Sequence, residues 1–122
     1  MTNPDARELL SAARELLLEK LLPALPGSLH YDTRMIASAL AMAVREMDLG
    51  AAAAHAEGQR LNALLHTQGQ PETSLLEARA QLCAAIDQGG YDQPSAAREQ
   101  LLTELLAVAR DKLRISNPKV VA

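Results

Sequence analysis

Apolar side chains recur along this chain at helical spacing. Ala6, Leu9, Leu10, Ala13, Leu16, Leu17 and Leu21 follow a 3.6-residue period and predict a first helix over about 4–22. Asn3 suits its N-cap, Pro4 its first position, and Asp5 and Glu8 the positive end of its dipole. Pro23 and Pro26-Gly27 predict its end. A second helix is expected over 30–49, with Gly50 as its C-terminal cap. Its middle, Met35 to Val44, is apolar almost all round, the pattern of a helix at the centre of a bundle. A third helix, 51–66, carries Ala54, Gly58, Leu61 and Leu65 on one stripe, whose small members predict a close helix approach.

After the loop Thr67 to Pro71, a fourth helix over about 73–88 should bury Leu75, Leu82 and Ile86, with Gly89-Gly90 ending it. A fifth, 94–116, offers Leu102, Leu105, Leu106, Ala109 and Leu113 as a buried stripe, and Asn117-Pro118 stops it. Five amphipathic helices with short connections predict an all-α fold, a single domain over 1–122 built as an up-and-down bundle or a close relative.

Composition agrees. Leu and Ala fill 45 of 122 positions, Phe and Trp are absent, and Tyr occurs twice. Strong helix formers dominate and strand formers are scarce. The net charge of −3 is spread along the chain with no basic stripe, which argues against nucleic acid as a partner. The uncharged run from Met35 to Val44 is too short to span a bilayer, and the first five residues lack a basic, apolar leader. With Cys83 alone there is no internal disulfide, and a reduced, cytoplasmic setting is expected. Cys83, between Leu82 and Ala84, is expected to be a buried, inert thiol.

Chemistry is sparse. His30, His55 and His66 sit on separate elements with no Glu one turn away, so no metal or other cofactor is expected. No phosphate-cradling glycine loop occurs, and no Ser–His–Asp or Cys–His grouping has local support, so a non-enzymatic role is expected. Two polar features remain. Arg34, Ser38, Ala41 and Arg45 stack on one helix face, with His30 and Tyr31 one turn earlier. The guanidiniums either pair with internal acids, with Asp48, Glu19 and Asp32 as candidates, or cradle an anion or an acidic partner surface. The second feature is the run Arg110 to Pro118, in which Lys112 and Asn117 are candidate contacts. Val120 and Val121 beyond it predict a tail that packs in cis or in trans.

Three stretches resemble an uncharacterised bacterial family of small all-helical proteins. They are Asp5-Ala6-Arg7-Glu8-Leu9-Leu10 through Leu22-Pro23-Ala24-Leu25, then Tyr31-Asp32-Thr33-Arg34-Met35-Ile36-Ala37-Ser38-Ala39-Leu40 through Arg45-Glu46, then Asp111-Lys112-Leu113-Arg114-Ile115-Ser116-Asn117-Pro118. Ser38 stands where that family usually carries Asn. The resemblance implies genes beside an aminoglycoside-phosphotransferase-like kinase and an acyl-CoA dehydrogenase. It therefore implies a non-catalytic accessory partner of a kinase that phosphorylates a hydroxyacyl-CoA, and it supplies no catalytic residue. Alternative expectations are a module that binds an acyl or CoA-like anion near Arg34 and Arg45, and a structural homo-oligomer. Tyr31, Arg34, Arg45, Lys112 and Asn117 are the candidate ligand or partner contacts.

Overall fold

The computed structural model describes residues 3–121, and among these all regular structure is helical. The protein is all-α. Helix α1 (Ala6–Leu16) continues through a π-helical turn, Leu17–Leu21, into the short α2 (Leu22–Ala24). A 3₁₀ turn, Gly27–Leu29, leads into α3 (His30–His66), followed by α4 (Leu75–Asp87), α5 (Ala96–Ser116) and a last 3₁₀ turn, Pro118–Val120. The chain packs as two compact units, residues up to Gly50 and residues from Ala51 onward, with α3 contributing to both.

The caps are local chemistry. Asp5, not Asn3, caps α1, its carboxylate accepting from the Glu8 N–H at 2.8 Å. Ser74 and Ser95 cap α4 and α5 by the same three-residue reach, to Glu77 and Arg98. Gly69 and Gly89 take left-handed backbone at φ 78° and 84° and close α3 and α4. In each case the next residue donates back to the last turn, Gln70 to the Leu65 carbonyl and Gly90 to that of Ala85. Pro23 does not stop the first helical segment. It has no N–H and its ring crowds the preceding turn, and that turn is the widened π-helical one, in which the Leu22 N–H reaches back to Leu17. The segment ends at Leu25, which is extended before Pro26.

The expected break at Gly50 is absent. α3 is one helix of 37 residues, and Gly50 lies inside it without positive φ. One glycine costs a helix about 1 kcal/mol, and the alanines from Ala51 to Ala54 that follow it favour continuation.

The second unit holds the principal core. Leu61, Leu64 and Leu65 of α3 pack with Ala78 and Leu82 of α4, Leu101 of α5, and Tyr91 from the connecting segment. Glu57 meets Arg79 and Asn62 meets Thr73, so α3 and α4 run antiparallel here. Two expected stripes are displaced. On α5 the buried residues are Leu101, Val108 and Ile115, a heptad spacing, whereas Leu102, Leu105 and Leu106 are exposed. Ile86 of α4 is also exposed, and so is Cys83, one residue round the helix from buried Leu82. Gly58 sits where a Cβ would meet no atom within 4 Å, and Ala54 is exposed, so their small size serves no close approach.

The first unit is a helical hairpin. Arg7 near the start of α1 pairs with Asp48, and Arg14 two turns later donates to the Ala37 carbonyl, so α1 runs antiparallel to the first half of α3. Among its described residues only Thr33 and Ala37 are fully buried. Met35, Ile36 and Met42, expected at the centre of a bundle, are exposed. A single helix packed against α3 covers one side of it and leaves the rest of its apolar girth uncovered.

Candidate functional site

In the hairpin, Ser11, Arg14 and Glu15 of α1 and Ala41, Val44 and Arg45 of α3 line an open cavity of about 410 Å³. That volume falls in the range of small-ligand sites. Ala41 and Val44 give it an apolar wall, while two guanidiniums, a carboxylate and a hydroxyl give it polar groups. Arg14 is positioned through its Nε, which donates to the Ala37 carbonyl at 3.2 Å. Its terminal amines have no acceptor among the described residues. A guanidinium held at one nitrogen with a free outer edge suits a carboxylate or phosphate oxygen.

The polar stripe on α3 is thereby divided. Arg45 and Ala41 line the cavity. Arg34 and Ser38, exposed on the same face, do not, and Arg34 has no hydrogen bond or ion pair among the described residues. Its two candidate acids, Glu19 and Asp32, do not pair with it, and Asp48, the candidate for Arg45, is taken by Arg7 at 2.7 Å. Arg14 is the contact the sequence reading missed. Arg7 and Arg14, seven residues apart, share one side of α1 with Leu10 and Leu17, and cations placed on an apolar stripe are the signal that could have found it. Tyr31 is the most exposed large hydrophobic residue of the hairpin among the described residues, at 71% of its accessible surface.

Two other candidates, Lys112 and Asn117, fall in the second unit, where each makes an internal contact. Lys112 lies 3.7 Å from the Glu57 carboxylate, which also accepts two hydrogen bonds from Arg79, at 2.8 and 2.7 Å. Those hydrogen bonds, with Lys112 adding, hold the buried Glu57 carboxyl below the usual carboxylate range against the opposing effect of burial. The group joins α3, α4 and α5. Asn117 is exposed and ends α5, its N–H donating to the Leu113 carbonyl at 2.7 Å. The tail turns at Pro118–Val120, with Val121 half-buried and Val120 exposed, while Ala122 lies outside the described residues. All three histidines lie on α3, not on separate elements, because the helix runs on through Gly50; His30 is half-buried, with Nε2 2.9 Å from the Leu25 carbonyl, and His55 and His66 are exposed.

Among the described residues no three His, Cys, Asp or Glu side chains gather in a group that could hold a metal ion. No helix is long and apolar enough to cross a membrane. Neither a curated protein nor a solved structure matches the chain. Residues 23–120, which include Arg45 but not Arg14, match the family described as Domain of unknown function (DUF6285), and over that extent the chain belongs to this family.

Proposed function

We propose that the protein is a non-catalytic accessory subunit of an aminoglycoside-phosphotransferase-like hydroxyacyl-CoA kinase, acting in acyl-CoA catabolism in the cytoplasm. One observation carries the reading on the structural side. Tyr31, Met35, Met42 and Leu49 lie on the edge of α3 turned away from α1, all exposed, the last three at intervals of seven residues. A row of large apolar side chains on an exposed helix edge is what a partner's groove takes up, and methionine adapts readily to such a groove. The family resemblance supplies the identity of the partner. The test is co-purification with the kinase encoded beside it, and kinase turnover with and without this chain. Met35→Glu with Met42→Glu should abolish association while leaving helicity unchanged. A kinase that neither binds this chain nor changes its turnover in its presence removes the reading.

The cavity favours a second reading, an anion-binding module for an acyl or CoA-like ligand. Arg14 is the observation behind it. Calorimetry with coenzyme A and with a short-chain acyl-CoA tests it, and Arg14→Gln should weaken binding about tenfold or more, as expected on losing a charge-assisted contact.

A further inference from the structure

The cavity of the hairpin carries both signs of charge, and on α1 they do not neutralise each other. Ser11, Arg14 and Glu15 stand at i, i+3 and i+4 and line it from α1, with Ala41 and Val44 lining it from α3. Arg14 is tied at Nε to the Ala37 carbonyl, which fixes the guanidinium and leaves its terminal amines without an acceptor among the described residues. Glu15 lines the same cavity, yet among the described residues its carboxylate takes part in no ion pair or hydrogen bond, and neither does the Ser11 hydroxyl. Arg14 and Glu15 are consecutive. Their side chains leave α1 about 100° apart, so they do not meet as residues three or four apart do. One cavity therefore holds a fixed cation and an unpartnered carboxylate that are too far apart to pair.

We propose that this cavity binds a small aliphatic amino acid as its zwitterion. The inference rests on the second reading above, that Arg14 holds an anion here, and it narrows the ligand. The ligand carboxylate accepts from the terminal amines of Arg14, a charge-assisted contact that suits the flat edge of a guanidinium. Its ammonium donates to Glu15, and the Ser11 hydroxyl one turn earlier is a second acceptor. Its side chain rests on Ala41 and Val44. At about 410 Å³ the cavity lies near the lower end of small-ligand sites, and its two short apolar residues match a side chain of a few carbons. Charge selects this class over simpler ones. An anion without an ammonium meets the Glu15 carboxylate, and a cation without a carboxylate meets Arg14. Each brings like charges together, which acts against the wrong ligand. A zwitterion turns both encounters into attractions. Coenzyme A, with several phosphate charges, meets Glu15 least favourably of all.

Titration of the full chain, followed through the backbone amide chemical shifts of α1, separates three matched probes. L-Valine carries both charges, isovalerate lacks the ammonium, and isobutylamine lacks the carboxylate. L-Valine should bind at least about tenfold more tightly than either. Glu15→Gln should weaken L-valine about tenfold and strengthen isovalerate, because the one change removes an attraction from the first and a repulsion from the second. Arg14→Gln should weaken both. Both positions are exposed, so the variants should keep the helicity of the native chain. Isovalerate binding as tightly as L-valine, or a Glu15→Gln chain in which their ratio is unchanged, overturns the proposal and leaves the anion reading standing. So does coenzyme A binding where L-valine gives no shift at about 10 mM. Isobutylamine binding as tightly as L-valine also overturns it. If L-valine, isovalerate and coenzyme A all fail to bind, the proposal and the anion reading fall together.

Discussion

Glu57 faces two cations, Arg79 of α4 and Lys112 of α5. It is buried, while its partners Arg79 and Lys112 keep much of their surface in water. Losing a partner therefore leaves a buried carboxylate, whereas losing the carboxylate leaves two hydrated cations. Arg79→Met should lower the urea midpoint more than Lys112→Met, because only Arg79 makes two hydrogen bonds to Glu57. The pH dependence has a fixed sign. The folded pKa of Glu57 lies below its unfolded value, so its contribution is complete at neutral pH and is lost as pH falls below about 4.3 and through the folded pKa. Urea midpoints at pH 7 and 3.5 should differ less for Glu57→Gln than for the native chain. Tyr91 behaves in the opposite sense at the alkaline end. Burial raises its phenol pKa, so stability should fall above about pH 10. Its hydroxyl is buried without a partner among the described residues. Tyr91→Phe should thus be neutral or stabilise by up to about 1 kcal/mol. Arg34→Ala should change stability by less than about 0.5 kcal/mol, since Arg34 is exposed and makes no ion pair among the described residues.

At the scale of elements, the glycines separate conformational need from incidental use. Gly58 is helical and has open space where a Cβ would stand. Gly58→Ala should raise the thermal midpoint, by an amount equivalent to about 0.5–1 kcal/mol. A loss instead would restore the close helix approach that the small-residue stripe suggested. Gly89→Ala should cost about 1 kcal/mol or more, because φ 84° strains any side chain and the Asp92 carboxylate lies 3.0 Å from the new Cβ. The displaced stripe on α5 has a simple origin. Leu101, Leu102, Leu105, Leu106, Val108 and Leu113 spread over nearly half the helix circumference, wider than the strip that is buried, so periodicity alone cannot say which edge of that arc faces inward. The neighbours decide. Glu104 pairs with Arg60 at 3.0 Å and Lys112 approaches Glu57, and these contacts with α3 fix the rotation that buries Leu101, Val108 and Ile115.

Across the whole molecule, burial is uneven. Leu64 and Leu65 are the largest fully buried side chains, both in the second unit. Leu64→Ala should cost about 2–5 kcal/mol, whereas Leu9→Ala, at an exposed hairpin position, should cost far less in the monomer. Measuring both by chemical denaturation, at low and high protein concentration, would also register any stability that self-association lends the hairpin. The sequence by itself determined the helical class and most helix ends, because these follow from short-range causes. Ala and Leu favour helix, Ser74 and Ser95 satisfy first-turn N–H groups, Gly69 and Gly89 accept left-handed backbone, and Asn117-Pro118 cannot continue a helix. Only the tertiary structure decided that α3 runs through Gly50, that Arg45 shares a cavity with Arg14 and not with Arg34, that Lys112 serves Glu57, and that Cys83 faces out. Each of these depends on which residues distant in sequence lie against a given helix face. When that face is apolar nearly all round, hydrophobic periodicity gives no preferred direction, and packing alone supplies it.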